Sequence, residues 1–348
     1  MTSISSYALT AAPRQIVAQA QAALSKAQVE LSSGKMADIG LGLGSAAGSY
    51  LSLSAQQSKL TAIQSSNATT AATLTASTTA LDALRTAASS FLSSLTQASS
   101  TGVAAGTLVT TAGSNLDALT STLNTTVAGQ AIFGGLNSGA PPMTAYTTGS
   151  SAQSAVSRNY AATFNGQDPS TITEVQMTSY LTGTGSNSFA TLFDATNYQT
   201  NWSQASSDVP TAQISSTATD TVQTSVSAND TAFRQLAEAY TMVKEYGGTN
   251  FSSGAGQAVI AAATQLVSSA VTGLTSAQAG IGLSQSAVST ANDRMTTQID
   301  YLQTQSADMV DVDPSMLSTQ ISGLQTQIQA SYEITSELQQ LSLVNYLK

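Results

Sequence analysis

Leu53, Leu60, Leu74, Leu81, Ala88 and Leu95 stand seven residues apart or twice that. Ile63, Ser77, Leu84, Phe91 and Ala98 each follow a member of the series by three. Apolar residues at alternating steps of three and four form the seam of helices that pack along their length, because a 3.5-residue repeat keeps one stripe facing the partner. Residues 51–98 are therefore predicted as one helix, about 70 Å long at 1.5 Å per residue. A rod holds such a helix where a small globular core does not. Asn67 takes an a position and Thr70 the following d; a polar layer costs stability there and can fix register.

Other segments carry the same spacing. From about Thr10 to Leu31, Ile16, Ala20, Ala23, Leu24, Ala27 and Leu31 fall on one helical face, and Ser33-Gly34-Lys35 ends it. The Gly-rich stretch from Asp38 to Gly48 reads as a loop. Leu108, Leu116, Leu119, Leu123 and Val127 mark a shorter helix. A second long block runs through Val259, Ala263, Leu266, Ala270, Leu274, Ile281, Val288, Met295 and Leu302, with two successive steps of four at Leu266–Ala270–Leu274 that suggest a stutter. Asp311-Val312-Asp313-Pro314 interrupts it. The last helix carries Leu317, Ile321, Leu324, Ile328, Leu338 and Leu341.

The middle of the sequence differs. Gly134-Gly135 and Pro141-Pro142 end the helical pattern. The runs at 160–164, 171–177 and 211–218 favour strands, and 136–227 is read as a β-rich insert. Asn229-Asp230 then caps a helix with Phe233, Leu236, Ala237, Tyr240 and Val243 on one side. The expected fold is mainly α: an elongated antiparallel helical coiled-coil bundle formed by the N- and C-terminal segments, with the β-rich insert at its far end. The expected divisions are an assembly helix at 1–45 paired with 305–348, a rod of 46–135 with 228–304, and the insert at 136–227. Few helical contacts are expected to cross the insert boundaries.

Composition limits the chemistry. The 348 residues include ten basic and nineteen acidic side chains, a net charge of -9, so the basic footprint of a nucleic-acid binder is missing. Neither His nor Cys occurs, which removes Ser-His-Asp and Cys-His nucleophiles, the usual zinc sites and disulfides. Gly40, Gly42 and Gly44 lack the strand and helix of a dinucleotide loop. Asp308, Asp311 and Asp313 lack the Gly and Glu of a calcium loop, and Pro314 makes a helix cap the better reading. Asp168, Glu174, Asp194 and Asp208 show no pairing that would serve acid–base catalysis. No enzyme, cofactor or metal site is expected. The apolar runs are broken well short of the roughly 18 residues of a membrane span, and no secretory signal is legible.

Three passages together resemble the flagellin superfamily. The stretch from Ala18 to Lys35 ends in Leu31-Ser32-Ser33-Gly34, like that family's N-terminal signature. AIFGGLNSGAPPM at 131–143 is similar to its passage into the variable domain, with Ala131-Ile132-Phe133 for Tyr-Leu-Phe and Met143 for Phe. The ending Leu341-Ser342-Leu343 to Asn345-Tyr346-Leu347 resembles the closing helix of the hook–filament junction proteins within it. The resemblance spans about 1–145 and 228–348. It implies a structural subunit of the bacterial flagellum, secreted by the flagellar type III route, that joins hook and filament. The alternatives are a filament-forming flagellin or, from another class, a Ser/Thr-rich surface adhesin. The implied partners are further copies in a helical ring, a neighbouring hook-associated protein, flagellin and a cytoplasmic export chaperone. Ile16, Leu24, Leu31, Leu324, Ile328, Leu338 and Leu341 are the expected assembly and chaperone contacts. Ala-rich terminal helices bury little area alone, so 1–40 and 315–348 are expected to order only on assembly.

Overall fold

The computed structural model describes the backbone of residues 6–101, 105–248 and 254–346, and the side chains of 14–99, 105–248 and 254–337. It is 75% helical, with few strands and no closed sheet, so the mainly α fold with a small β-containing insert is as expected. Two compact units are present: Met1–Thr61 with Thr296–Lys348, and Ala62–Met295.

In the first unit, helix α1 (Ser6–Ser33) pairs with α10 (Pro314–Tyr346). Gln21 Nε2 donates to the Tyr332 hydroxyl at 2.9 Å, and Lys35 bridges to Asp311, so the pair runs antiparallel. Both helical segments break at one level. The Met36 N–H donates to the Val310 carbonyl at 2.9 Å, and the Val312 N–H to the Gly34 carbonyl at 3.1 Å. Gly34 turns there at φ +70, a conformation that favours glycine. Asp313 restarts the helix as a cap, accepting from the Ser315 N–H at 2.8 Å, with Pro314 in the first turn. The expected loop at 38–48 is instead helical. Asp38 caps the short α2 (Ile39–Leu43), one 3-10 turn follows, and α3 (Ala47–Thr101) begins. The side-chain oxygen of Asp38 satisfies the Leu41 N–H, which outweighs the glycines over so short a run.

In the second unit the seam of α3 is buried at Leu60, Asn67, Thr70, Leu74, Ser77, Leu81, Leu84, Ala88, Phe91, Leu95 and Ala98 (Leu60 itself lies at the edge of the first unit). Helix α4 (Ala105–Leu123) buries Leu108, Ala112, Leu116, Leu119 and Leu123. Val127 is not part of it, because the backbone turns into a two-residue hairpin, β1 (Thr126–Val127) with β2 (Gln130–Ala131). Helix α8 (Thr231–Tyr246) starts at Asp230, whose carboxylate accepts from the Ala232 N–H, and it is buried on nearly every side. Helix α9 (Gly254–Val310) buries Ile260, Ala263, Val267, Ala270, Leu274, Ile281, Val288, Ala291 and Met295. Val267 takes the place expected of Leu266, so the steps of three and four continue and the stutter disappears. Antiparallel packing of α3 and α9 follows from Asn67 against Asn292 and Asp82 against Gln278. By length and hydropathy alone α9 would pass for a membrane span, contrary to the reading from apolar runs. Many of its apolar positions, from Ile260 to Met295, are packed in the seam with the neighbouring helices.

The insert is more helical than its β-favouring runs suggest. Residues 160–164 lie in α5 (Ser151–Phe164), and 171–177 enter α6 (Glu174–Thr182); α7 (Ala195–Asn201) follows. Only 211–218 behaves as expected, giving β3 (Thr211–Gln213), which pairs with β4 (Thr221–Gln223). The deciding signals are caps and longer periods. Ser150 caps α5, and Ala152, Val156, Tyr160 and Phe164 repeat every four residues. Thr173 and Gln176 form a capping box ahead of Met177, Tyr180 and Leu181.

The insert has an aromatic core anchored on α8. Tyr180, Phe189 and Tyr160 pack on Tyr246, and Tyr146 stacks on Trp202 with centroids 5.0 Å apart. The Tyr180 and Tyr246 hydroxyls lie 3.1 Å apart, and burial holds both well above the ordinary phenol range. Contacts therefore cross the boundaries expected to be quiet. Arg234 Nη1 donates to the Phe193 carbonyl at 3.0 Å, and the Tyr146 hydroxyl to the Glu245 carboxylate at 2.9 Å.

Candidate assembly surfaces

The α1–α10 pair is a narrow seam. Val17, Ala20 and Ala27 are buried on α1, and Leu24 is half-buried between them. On α10, Leu317 is buried, and Ile321, Leu324, Ile328, Ser331 and Thr335 are half-buried at steps of four and three. Two helices can cover only such an a/d stripe; whatever flanks it stays wet. That geometry sorts the expected contact residues. Leu24, Leu324 and Ile328 are half-buried along the seam. Ile16 and Leu31 do not join it; they are 47% and 37% exposed. Val17 takes the place expected of Ile16, and Leu31 sits at the helix end. The side chains of Leu338 and Leu341 lie outside the described residues.

A second set of residues escaped the sequence reading. Val29, Leu41, Leu51, Tyr301, Met316, Tyr332 and Ile334 are all more than half exposed. Among the described residues, every large exposed apolar side chain except Leu136, Val175 and Leu283 belongs to the unit Met1–Thr61 with Thr296–Lys348. Single exposed apolar residues are ordinary on soluble proteins. Their concentration in one unit is the mark of a surface to be covered. The signal was available in sequence as large apolar residues off the seam, in segments otherwise filled by Ser, Thr and Gln. Periodicity analysis discards such residues because they break the stripe.

Lys26 and Glu30 pair at 3.8 Å along α1, and the Glu30 carboxylate also accepts from the Ala37 N–H at 3.1 Å beyond the helix end. The Glu30 carboxylate thereby closes the end of α1.

The model of the bacterial flagellin N-terminal helical region matches residues 4–138, and that of the C-terminal helical region matches 264–347. Between them they cover more than half of the 348 residues, in the order and at the ends where the helical pairs lie. The chain belongs to the flagellin superfamily. No individual curated protein matches it. Proteins of the flagellin family are structural, are exported and assemble into flagellar polymers, and this protein is accordingly a flagellar structural subunit. The N-terminal match ends just beyond the Ile132-Phe133-Gly134-Gly135 passage, and the C-terminal match begins inside α9. The insert and α8 thus lie between the two flagellin regions.

Proposed function

We propose that this flagellin-family protein is the junction subunit between hook and filament, of the hook-associated protein 3 type. The observation that carries an assembly role is the exposed apolar side chains gathered in the unit of the two termini. Copies that bury Leu41, Met316, Tyr332 and Ile334 against one another form a helical ring, and the same surface contacts a neighbouring hook-associated protein on one side and flagellin on the other. The junction assignment rests on the ending from Leu341 to Leu347. Before export, a cytoplasmic chaperone covers α10, and Leu324, Ile328, Leu338 and Leu341 supply the anchors of a helix lying in a groove. Filament flagellin is the second reading, favoured by the match of both flagellin regions.

Antibody-labelled electron microscopy of flagella separates the two. A band at the hook–filament boundary supports the junction role, and label along the filament overturns it. Deletion gives an independent check: losing a junction subunit leaves bare hooks and secreted monomeric flagellin. Replacing Leu338 and Leu341 with Ser should weaken chaperone binding and assembly together while the helical content of 51–300 is kept.

A further inference from the structure

We infer that Asn165 is a site of spontaneous, one-way covalent modification. The Gly166 backbone nitrogen attacks the carbonyl carbon of the Asn165 amide and loses its proton. The amide's own bond between Cγ and Nδ2 breaks and ammonia leaves. The five-membered succinimide that results is opened by water to aspartate or isoaspartate. No oxidant, enzyme or cofactor enters the balance.

Four observations converge on this residue. Asn165 is the only asparagine in the sequence that precedes glycine, so no side chain hinders the attacking nitrogen. Asn165 and Gly166 are both exposed. Both have positive φ, 49° and 73°, in a tight turn at the end of α5. Among the described residues, neither the Asn165 amide nor the Gly166 N–H makes a hydrogen bond. The left-handed helix cap explains why asparagine is suited to the position, but it leaves the reactive amide untied. The asparagines that precede serine are held differently. Asn137 donates its amide to the Gln204 carbonyl at 3.0 Å, and the Ser188 N–H that follows Asn187 is bonded to the Gly185 carbonyl at 2.9 Å.

The turn itself sets the pace. Ring closure needs the backbone to rotate at Asn165, and two hydrogen bonds oppose that rotation. The Gln167 N–H donates to the Phe164 carbonyl at 3.0 Å, and the Tyr160 hydroxyl to the Gln167 carbonyl at 2.9 Å. Tyr160 is held in place by the rings of Phe164, Tyr180 and Tyr246. Once formed, the new carboxylate stands at the negative end of the α5 dipole, three residues from Asp168. Isoaspartate also lengthens the backbone by one methylene and breaks the turn. The product is a local, irreversible loosening of the insert that accumulates with the age of the subunit.

The test incubates the full-length protein, folded and in denaturant, at mildly alkaline pH. Conversion is read by peptide mass and by enzymatic methylation of isoaspartate. Conversion should occur at Asn165 before any other asparagine, more slowly in the folded protein than in the denatured one. Asn165→Gln should abolish it at this site. Tyr160→Phe, shown by circular dichroism to stay folded, should convert several-fold faster than wild type. Two results would overturn the assignment: a folded protein intact at Asn165 when the denatured one has converted fully, or earlier conversion at Asn137 or Asn187. An unchanged rate in Tyr160→Phe would remove the turn as the pacing element.

Discussion

Asn67 donates its side-chain amide to Oδ1 of Asn292 at 2.8 Å, from a position with 0% exposure in the middle of the α3 seam. The same amide donates to the Ile214 carbonyl at 2.9 Å, in the loop between β3 and β4. One polar layer thus fixes the stagger of two long helices and seats the insert's hairpin upon them. Asn67→Ala removes both bonds and leaves two acceptors short of a donor, with an expected loss of about 1–3 kcal/mol. Thermal unfolding should show the loss. Hydrogen exchange should rise first at 211–223. A variant as stable and as protected as wild type would reduce Asn67 to a tolerated defect.

Ala128 sits at φ 51 in the two-residue turn between β1 and β2, with Gly129 at φ 79 beside it. A turn of this kind wants residues that accept positive φ, and alanine does so at a cost of about 1–2 kcal/mol. Ala128→Gly should therefore raise stability, by up to about 1 kcal/mol once the added freedom of the unfolded state is counted. A lower melting temperature would show that the turn is held for another reason.

Gly135 should tolerate nothing larger. It lies at φ 61, and a Cβ there would run into the carbonyl oxygens of Ser206 and Asp208. Gly135→Ala is expected to separate the segment 131–138 from 204–208 and to lower stability by a few kcal/mol. A crystal structure or a melting curve indistinguishable from wild type would contradict the close approach.

Glu238 is 8% exposed on α8, and burial pushes its carboxyl up to about 8; the Arg234 guanidinium one turn earlier pulls the other way. The folded state therefore holds a proton that the unfolded state releases near the ordinary carboxyl value. Stability from this group is complete below about pH 4.5 and is lost as pH rises towards 8. Glu238→Gln, which keeps the shape without the charge, should flatten that decline and melt higher than wild type at about pH 9. Parallel pH profiles for the two proteins would show that the carboxyl is ionised in the fold.

The exposed apolar residues of the terminal unit should matter for assembly and not for the monomer. A Leu41→Ser, Met316→Ser, Ile334→Ser variant is expected to melt like wild type, because none of the three is buried. Its polymerisation, followed by light scattering, should be strongly reduced. Normal polymerisation would move the assembly surface elsewhere. Hydrogen exchange on the monomer tests the related expectation that 1–40 and 315–348 order only on assembly; strong protection of both ends would refute it.

Removing 146–226 should cost more than the composition of its boundaries suggests. The deletion uncovers Tyr246 and takes away the acceptor of Arg234 Nη1. A soluble product with α8 frayed is expected, readable as loss of exchange protection over 231–246. An α8 as protected as in the whole protein would make the insert an independent appendage.

The long seams were legible from the amino-acid order alone. Leu74, Leu81, Ala88, Phe91 and Leu95 lie where a seven-residue repeat puts them, because one helix period repeated over many turns leaves no other face to bury. The caps at Asp313 and Asp230 were legible for a similar reason: a cap is a contact within one turn of backbone. Other features depended on partners distant in sequence. Whether Leu266 or Val267 faces inward differs by one position and is decided by the helices around α9. Ile16 and Leu31 lie on the predicted face, but a two-helix seam is too narrow to cover them. The helices of the insert were written in their caps and four-residue spacing, yet short β-favouring runs outweighed those signals when read without their surroundings. Gly135 looked like a breaker; it is a point where two stretches of backbone, 131–138 and 204–208, meet. Asn67 was visible as a polar residue in a seam, but its two acceptors lie 147 and 225 residues away, and only the folded protein brings them together.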